Sequence, residues 1–495
     1  MLKKIRTILA AVFFAGVTLL FLDFTGTLHA WLGWMAKIQF LPAVLAANFI
    51  ITAVLLLLTL LLGRVYCSVI CPLGVMQDII SWIHGKTKKK NRFRFSYSPA
   101  RNWLRYSVLV LFILGLILGA HSIAVIIAPY SAYGRIAANL FAPIYQWGNN
   151  LLAWVAERAD SYAFYSVDVW IKSVSAFIIA AVTFVVVGIL AWKHGRTWCN
   201  TICPVGTVLG FLSRFSIFAP VIDTEKCRSC GLCEKQCKAS CINIKEHQID
   251  YSRCVVCMDC IDTCKDGAIH YALRKGKRSP IKPETTDKSR RAFLITSAIA
   301  GTTATLKAQE MKVDGGLAVI ENASKPERQT PILPAGSMSV KNFADHCTSC
   351  QLCVSVCPNQ VLRPSTSLMT LMQPEMSYER GYCRPECTRC SDICPAGAIR
   401  PVSVEEKSSI QIGHAVVNLE SCVVNTDGVK CGNCARHCPA GAIRMVRKNP
   451  DDPNSLMIPT VNEERCIGCG ACENLCPARP FTAIHVEGHE VHKMI

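Results

Sequence analysis

The chain contains four long runs of apolar residues, at about residues 7–23, 41–63, 104–129 and 170–192. Each run is long enough to cross roughly 30 Å of hydrocarbon as a helix. Together they predict a four-helix membrane domain over residues 1–215. The composition agrees, because 51% of the 495 residues are hydrophobic and the mean hydropathy is +0.29. These values exclude a purely soluble protein.

The charged residues between these runs predict how the helices are oriented. The loop between the second and third runs is strongly basic, whereas the loop between the third and fourth contains only Arg135 and Arg158 as basic residues. Positive loops stay in the cytoplasm, so the N-terminus, residues 64–102 and the chain after residue 192 are predicted to be cytoplasmic. This topology signal explains the basic run at 86–94 better than nucleic-acid binding does. The basic residues of the loop are Arg64, Lys86, Lys88, Lys89, Lys90, Arg92, Arg94 and Arg101.

Most of the 29 cysteines fall into six runs of four. In four of the runs the spacing is C-x2-C-x2-C-x3-C, in which three thiolates wrap one [4Fe–4S] cube and the fourth reaches a neighbouring cube. Zinc is the alternative, but its ligands come as separated C-x2-4-C pairs. The regular runs are Cys227, Cys230, Cys233, Cys237; Cys254, Cys257, Cys260, Cys264; Cys347, Cys350, Cys353, Cys357; and Cys466, Cys469, Cys472, Cys476.

Two further runs have looser spacing but are also predicted to ligate clusters. Proline follows the last cysteine of both, as it does in two of the regular runs, and fixes the turn of the chain away from the site. Lys238 and Lys265 replace this proline in the first two runs, a change that should not affect ligation. The looser runs are Cys383, Cys387, Cys390, Cys394 and Cys422, Cys431, Cys434, Cys438.

The runs form two blocks, and the exchange of fourth cysteines between runs predicts the ligand sets. In the first cysteine block, residues 216–275, Cys264 completes the first cluster and Cys237 the second. In the second cysteine block, residues 331–495, we favour a nested pairing. The first run then exchanges its last cysteine with the fourth run, and the second with the third. Sequential pairing is the alternative. Nested pairing gives Cys347, Cys350, Cys353, Cys476; Cys466, Cys469, Cys472, Cys357; Cys383, Cys387, Cys390, Cys438; and Cys422, Cys431, Cys434, Cys394.

The remaining cysteines are Cys241 and four that lie in an internal repeat. Residues 63–74 and 195–206 share a G-R-x-aromatic-C-x3-C-P pattern. The first copy follows the second predicted membrane helix, and the other copy follows the fourth. Two parallel repeats related by an axis along the membrane normal would bring the four thiols together. They would form a seventh iron–sulfur centre, two redox-active dithiols or two structural thiol pairs. We call Cys67, Cys71, Cys199 and Cys203 the C-x3-C-P tetrad; Cys241 is interpreted as a small buried thiol beside a cluster.

A basic linker over residues 276–330 separates the two blocks. It contains Arg290-Arg291 followed by Phe293-Leu294 and a weakly apolar stretch, which is the pattern of a Tat signal for export of folded proteins. No clear A-x-A cleavage site follows, so we predict a retained fifth span and a periplasmic second block. A basic linker with a short helix is the alternative.

Several ionisable residues lie near the ends of the predicted spans. An ionisable group in or beside a membrane span is a functional candidate. Asp23, His29 and His121 lie near the predicted outer ends of helices, and His84 and His194 near the inner face. Each is more often a packed or interfacial residue, and no catalytic residue is assigned.

The motifs resemble two known groups of proteins. Residues 1–275 resemble the NapH/NosR group of polytopic ferredoxin-type proteins, which share four helices, two C-x3-C-P motifs and a two-cluster domain. Residues 289–495 resemble the NapG type of exported four-cluster ferredoxin subunit, in the twin arginine, in Pro331 to Pro334 and in the four cysteine runs. The resemblance implies a fused protein with an α-helical membrane domain and α+β ferredoxin-like domains.

The resemblance also implies a function and partners. The chain would be the electron-transfer subunit of an oxidoreductase complex in the bacterial cytoplasmic membrane. It would pass electrons from menaquinol or ubiquinol through six [4Fe–4S] clusters to a periplasmic cytochrome c or reductase of anaerobic respiration. Two alternatives are a transmembrane conduit fed by a cytoplasmic ferredoxin or flavoprotein, and a redox factor for metalloenzyme maturation. Nucleic acid is not expected among the partners.

Overall fold

The computed structural model describes residues 1–87, 94–274 and 323–495, together with two short strands at Lys312–Val313 and Val319–Ile320. The predicted Tat-like segment and part of the basic loop, residues 88–93, lie outside the described residues.

Helices dominate the first part of the chain, which we call the helical domain (residues 1–215). A π-turn at Ala137–Phe141 and a 3-10 turn at Val125–Ile127 interrupt its middle. Its helices are α1 Leu2–Leu22, α2 His29–Leu32, α3 Trp34–Lys37, α4 Phe40–Leu45, α5 Phe49–Leu62, α6 Val65–Val69, α7 Pro72–Thr87, α8 Asn102–Ile117, α9 His121–Ala124, α10 Pro129–Ile136, α11 Ala142–Arg158, α12 Val174–His194, α13 Thr197–Thr201 and α14 Pro204–Ser213.

Two helices of the described residues, α1 and α12, are long and apolar enough to cross a membrane. The predicted second and third spans are wrong in length, because α5 has 14 residues and α8 has 16. α5 begins late because the Asn48 side chain caps it, accepting a hydrogen bond from the Ile51 amide at 3.1 Å. α8 stops just before Gly119, whose φ of +79° does not continue a helix. The predicted loop before α12 is largely helical.

Each cysteine block consists of short helices and two-stranded antiparallel sheets, with a one-turn helix beside most runs. The pairs are β1–β4 and β2–β3 in the first block and β7–β8, β9–β12 and β10–β11 in the second, and β5–β6 lies in the linker between the blocks. The helices are α15 Leu232–Gln236, α16 Asp259–Thr263, α17 Val340–His346, α18 Leu352–Val356, α19 Arg389–Ile393, α20 Val404–Ser409, α21 Val423–Thr426, α22 Asn433–Arg436 and α23 Ala471–Asn474, with a 3-10 turn at Glu463–Arg465. The strands are β1 Phe218–Ile222, β2 Ile242–Asn243, β3 Gln248–Ile249, β4 Ile269–Leu273, β5 Lys312–Val313, β6 Val319–Ile320, β7 Leu362–Pro364, β8 Pro374–Met376, β9 Ile410–Val417, β10 Ile443–Arg447, β11 Met457–Val461 and β12 Ile484–Met494.

The first cysteine block packs against one end of the helical domain. Lys3, at the start of α1, donates to Asp262 at 2.9 Å, and the Arg196 amide, just after α12, donates to the Lys238 carbonyl at 2.9 Å. The β1–β4 pair continues from α14, and the Ile217 amide donates to the Leu60 carbonyl near the end of α5. This end of the bundle is therefore the one at which α1 begins and α12 ends.

The second cysteine block packs against the opposite end. Lys172, just before α12, donates through Nζ to the Val354 carbonyl at 2.9 Å. Asn139 in the π-turn donates to the Gln351 side chain at 2.7 Å, and α18 packs against α1. A helix of 21 residues is about 31 Å long at 1.5 Å per residue. The two cysteine blocks are thus held apart by the length of a membrane-crossing helix.

Candidate iron–sulfur sites and the centre between them

All four regular runs have the same backbone shape. The third and fifth residues of each run adopt positive φ, with values between 51° and 79°. Glycine occupies only three of these eight positions, and one holds Val256, for which φ of +53° is costly. Strain of this kind persists only where the surroundings over-determine it. The eight residues are Ser229, Gly231, Val256, Met258, Ser349, Gln351, Gly468 and Gly470.

This loop shape fits a cluster as its ligand shell. Two positive φ angles curl the chain between its first three cysteines, and the loop turns a backbone N–H group toward sulfur. The Ser349 amide donates to Cys347 Sγ at 3.4 Å. Beside the last cysteine of a looser run, the Ala442 amide donates to Cys438 Sγ at 3.3 Å. Hydrogen bonds to sulfur are one of the means by which a protein sets the potential of an iron–sulfur cluster. When bound, such clusters supply one-electron transfer.

In the first cysteine block the packing of α15 against α16 brings the two runs together. Burial raises the pKa of the Cys260 thiol, and the neighbouring Cys257, Cys254 and Cys237 raise it further. Cys237 therefore lies with the second run, in the position that the predicted ligand exchange requires.

Cys241 lies beside the same site. Its Sγ is 3.5 Å from Cys237 Sγ, and the side chain is 1% exposed. A hydrogen bond from Cys241 lowers the pKa of the Cys237 thiol to about 7, against the effect of burial. The residue is thus a buried thiol next to a predicted ligand, as the sequence suggests.

In the second cysteine block, neighbouring runs lie side by side in chain order, an arrangement that favours the sequential pairing over the nested one. Burial raises the pKa of the Cys353 thiol, and its charged neighbours include Cys394. Burial also raises the pKa of Cys390, and Cys383 and Cys357 contribute to the shift. Cys394 therefore lies near the first run and Cys357 near the second, as an exchange between these two runs would require.

The last two runs of this block are arranged in the same way. Cys438 lines one small cavity together with Cys466, Cys469 and Cys472. Cys476, the last cysteine of the fourth run, lies near Cys434 of the third run. The reason is local packing: α18 lies against α19, and α22 against α23. Runs that follow each other closely along the chain close a shorter loop than runs at its two ends.

Two lysines near these thiols, the buried Lys407 and the half-buried Lys172, carry no signal in the sequence. Lys407 is 7% exposed and donates through Nζ to the carbonyl oxygens of Arg384 and Cys387. Burial lowers the pKa of Lys172 to about 8, although the thiolates of Cys357 and Cys353 oppose the shift. Both cations face the site of Cys383, Cys387, Cys390 and Cys357, where a positive charge stabilises a reduced cluster.

The two C-x3-C-P motifs meet inside the helical domain, near the end that packs against the first cysteine block. Cys67 lies in α6 and Cys199 in α13, and all four thiols of the C-x3-C-P tetrad are at most 4% exposed. Cys203 lies near Cys199, Cys71 and Cys67. These thiols are not spaced for a single metal ion, and neither is any other group of His, Cys, Asp or Glu side chains in the described residues.

The arginine of each motif crosses over to the other motif. Arg64 donates to the Cys199 carbonyl at 3.2 Å, and Arg196 donates to the Cys67 carbonyl at 2.7 Å. The same guanidinium groups approach sulfur, with Arg64 Nη2 3.7 Å from Cys67 Sγ. A Cβ on Gly74 or Gly206 would overlap one of these carbonyl oxygens, so each glycine permits the close approach.

The two arginines differ in their counter-charges. Asp78 accepts from Arg196 Nε at 2.9 Å and lies 2.9 Å from its Nη2. Arg64 is fully buried, yet none of the described carboxylates pairs with it; it donates to Asn200 Oδ1 at 2.9 Å and to the Ser252 carbonyl at 3.1 Å. A buried charge without a counter-charge is costly. The surroundings of Arg64 therefore favour a negative group at the tetrad.

The tetrad lies between the two cysteine blocks. One continuous buried cluster extends from Val255, in the second cysteine run, past Cys203 to Leu352 near Cys353. Tyr66, whose hydroxyl donates to Gln39 at 3.0 Å, lies near the tetrad. Tyr130 lies between Tyr66 and the site of Cys350 and Cys394. A path of buried thiols and aromatic rings thus connects the two ends of the bundle.

Most of the other predicted candidates have structural partners. Asp23 accepts hydrogen bonds from the amides of Thr25, Gly26 and Leu28 and lies 3.0 Å from His29 Nδ1. His84 stacks on Trp192 with ring centroids 4.4 Å apart. His194 is exposed at the end of α12. His121 alone among them lines a sizeable cavity.

Taken together, repeated cluster loops on a helical domain with two apolar helices define an iron–sulfur electron-transfer protein of the ferredoxin type. A family model described as a 4Fe-4S binding domain matches residues 44–91 and 174–220, and one described as a 4Fe-4S dicluster domain matches residues 429–479. The first model covers both C-x3-C-P motifs. The second covers most of the third run of the second block and all of its fourth, in keeping with sequential pairing.

The chain belongs to the family of ferredoxin-type proteins that includes NapG and MauM. It is 31% identical over 182 residues to NapG of Escherichia coli (strain K12), an alignment that covers 34% of this chain and 77% of NapG. It is 33% identical over 171 residues to the methylamine utilization protein MauM of Methylophilus methylotrophus, covering 32% and 72%. It is 26% identical over 239 residues to NapH of Haemophilus influenzae, covering 46% and 69%. No solved structure matches.

Proposed function

We propose that the chain spans the cytoplasmic membrane and passes electrons from quinol through iron–sulfur clusters to a periplasmic reductase. The observation that carries this proposal is the placement of the cysteine blocks at opposite ends of α1 and α12. The two NapH-like and NapG-like parts are joined in one chain, so one molecule supplies both the membrane path and the exported clusters. The second block then faces the periplasm and the first, beside the basic start of α1, faces the cytoplasm.

The C-x3-C-P tetrad holds a seventh iron–sulfur centre in this proposal. Electron transfer over the length of a membrane helix is slow without an intermediate carrier. The buried position of the tetrad between the blocks supports such a carrier. An iron–sulfur cluster ligated by four thiolates carries net negative charge, which would balance Arg64 and the residual charge of Arg196. A pair of dithiols would not supply this charge when reduced, because burial keeps thiols neutral.

A second candidate reverses the source of the electrons. Cys230 of the first run is exposed, and the neighbouring side chains of Lys226 and Arg228 are 67% and 80% exposed. An exposed ligand beside positive side chains suits docking of an acidic donor such as a reduced ferredoxin. The first block would then be the entry point.

One experiment separates the two candidates. The purified protein in lipid nanodiscs is mixed with a reduced menaquinol analogue while the visible thiolate-to-iron absorbance is followed. Bleaching by quinol supports the quinol dehydrogenase. Absence of bleaching by quinol, together with rapid bleaching by reduced ferredoxin, contradicts it and supports the reversed conduit.

A further inference from the structure

A cavity of about 550 Å³ lies between the helical domain and the second cysteine block. Its size is that of sites that bind small organic ligands. The ends of α4 and α8, with the start of α9, form one wall, and α17 forms the other. The lining residues are Val44, Leu45, Leu116, Ile117, Leu118, Gly119, His121, Lys341, Asp345 and His346.

The two walls differ in chemistry. The wall from the helical domain is aliphatic, and Ile117 and Leu118 are 74% and 78% exposed. The α17 wall contributes charged and polar groups, including Lys341 and Asp345. A ligand that fits both walls has a polar head and a long apolar tail that can extend from α8 into lipid.

His121 lines this cavity and has a buried ring nitrogen without a partner. The residue is 9% exposed, and Nδ1 has no hydrogen-bond partner among the described residues. On the other side of the ring, Nε2 is 3.6 Å from Asp345 Oδ1, which orients the imidazole. An unpartnered buried nitrogen is costly, so a bound hydroxyl or carbonyl group would stabilise it.

The cavity also adjoins a predicted cluster site. α17 ends at Cys347, the first ligand of the site completed by Cys394, and His346 of the cavity wall is the preceding residue. A ligand in the cavity therefore lies beside one end of the buried path that leads past Tyr130 to the C-x3-C-P tetrad.

We propose that this cavity binds an isoprenoid quinol, whose hydroxyl donates to His121 Nδ1 and whose tail lies along Ile117 and Leu118. The proposal rests on the proposed function and names its substrate site. Oxidation of one quinol to quinone breaks two O–H bonds and releases two protons and two electrons. His121 receives a proton from one hydroxyl, the second proton passes to water at the open side of the cavity, and oxidised iron–sulfur clusters are the electron acceptors.

The site can be tested by binding, independently of electron transfer. The full-length protein in nanodiscs is photolabelled with a short-tailed azido-naphthoquinone, and the labelled peptides are identified by mass spectrometry. We expect label in residues 116–121 or 341–346, displaced by excess unmodified quinone. His121→Leu should reduce this labelling about tenfold, whereas His194→Leu, at the exposed far end of α12, should not change it. Val44→Trp, which fills the aliphatic wall, should also reduce it.

The outcomes distinguish the site from the function. Label elsewhere, or unchanged labelling in both His121→Leu and Val44→Trp, overturns the site even if quinol bleaches the clusters. Label at the cavity without bleaching by quinol supports the site and contradicts the quinol dehydrogenase. If quinol bleaches the wild type, His121→Leu should slow bleaching at least tenfold and leave reduction by dithionite unchanged.

Discussion

At the scale of single residues, Asp78 holds together the interface between the two C-x3-C-P motifs and the first cysteine block. Its carboxylate pairs with Arg196, with Arg6 and with Lys238, the last at 3.5 Å. Burial disfavours its ionisation, but the attraction of Arg196 and Lys238 outweighs this effect and keeps the pKa of Asp78 well below its usual range. One carboxylate thus serves three cations from three parts of the chain.

Replacing Asp78 should therefore be severe. Asp78→Asn leaves Arg196 and Lys238 without this counter-charge and should lower the free energy of unfolding by about 3–5 kcal/mol. Chemical denaturation followed by cluster absorbance measures the change. The matched control is Asp262→Asn, whose side chain is 60% exposed beside Lys3 and whose loss should cost less than about 1 kcal/mol. Equal losses in the two variants would contradict the assigned role of Asp78.

A second residue-scale prediction concerns the metal content of the C-x3-C-P tetrad. Six cubes contain about 24 iron atoms per chain, and a seventh raises the number to about 28. Cys203→Ser should then lower iron by about four atoms, while Cys241→Ser should leave it unchanged. Iron and protein assays on the purified variants measure this. About 24 iron atoms in the wild type, unchanged in Cys203→Ser, would refute the seventh centre.

At the scale of elements, the shared loop of the regular runs explains why some glycines are needed and others are not. Gly470 and Gly231 occupy the same position in their runs, with φ of +79° and +70°. A Cβ on Gly470 would overlap the ring of the buried Tyr378, whereas nothing lies within 4 Å of a Cβ on Gly231. Both loops need a positive φ at this position, but only the loop of Gly470 also lacks room for a Cβ.

The two alanine substitutions should therefore have different effects. Gly231→Ala incurs only the cost of positive φ, about 1 kcal/mol, and should retain its cluster. Gly470→Ala also forces Tyr378 to move and should lose the cluster ligated by Cys466, Cys469 and Cys472, reducing iron by about four atoms. Thermal unfolding and iron content of both variants test this, and similar losses in both would contradict it.

The β9–β12 pair contains a histidine that links stability to pH. His492 lies in the irregular part of β12, between Gly488 and Lys493, and neither ring nitrogen has a partner in the described part of the chain. Burial, and then the nearby His489, lowers its pKa to about 4. Because the unfolded chain takes up the proton first, this group destabilises the fold as the pH falls from about 6.5 toward 4.

The expected size of this effect is about 3 kcal/mol between neutral pH and pH 4. His492→Gln should remove that part of the pH dependence. The free energy of unfolding of the wild type and of the variant is compared at pH 7.5 and pH 5. Any loss of clusters in acid affects both proteins equally and cancels in this comparison. A pH dependence that is the same in both would show that His492 is not responsible.

Elements also show how far the sequence predicts the structure. The spacing of Cys466, Cys469 and Cys472 predicts the loop that the structure contains, because the shape of that loop is local; their role as ligands stays a prediction. Which run completes a cluster depends on whether α18 packs against α19, a tertiary choice that spacing alone does not specify. Helix ends at Asn48 and Gly119 also escaped prediction, because apolar content does not reveal a cap. The half-buried Lys172 and the buried Lys407 carry no sequence pattern.

At the scale of the whole molecule, the fold places redox sites along one line. The first cysteine block lies at one end of the bundle, the buried C-x3-C-P tetrad lies next to it inside the bundle, and the second block with its adjoining cavity lies at the other end. The arrangement gives each part of the chain a place in a proposed electron path from the cavity to a reductase, or in the reverse direction from a cytoplasmic donor. In both directions, the proposed path between the two cysteine blocks passes through the tetrad.

Transfer of electrons across a sealed bilayer tests this account most directly. The protein is reconstituted into vesicles that enclose ferricyanide, dithionite is added outside, and ferricyanide absorbance is followed. We predict that wild-type vesicles reduce the enclosed ferricyanide at least tenfold faster than protein-free vesicles or vesicles containing Cys203→Ser. Reduction at the protein-free rate by a wild-type protein that contains all its clusters would contradict the account.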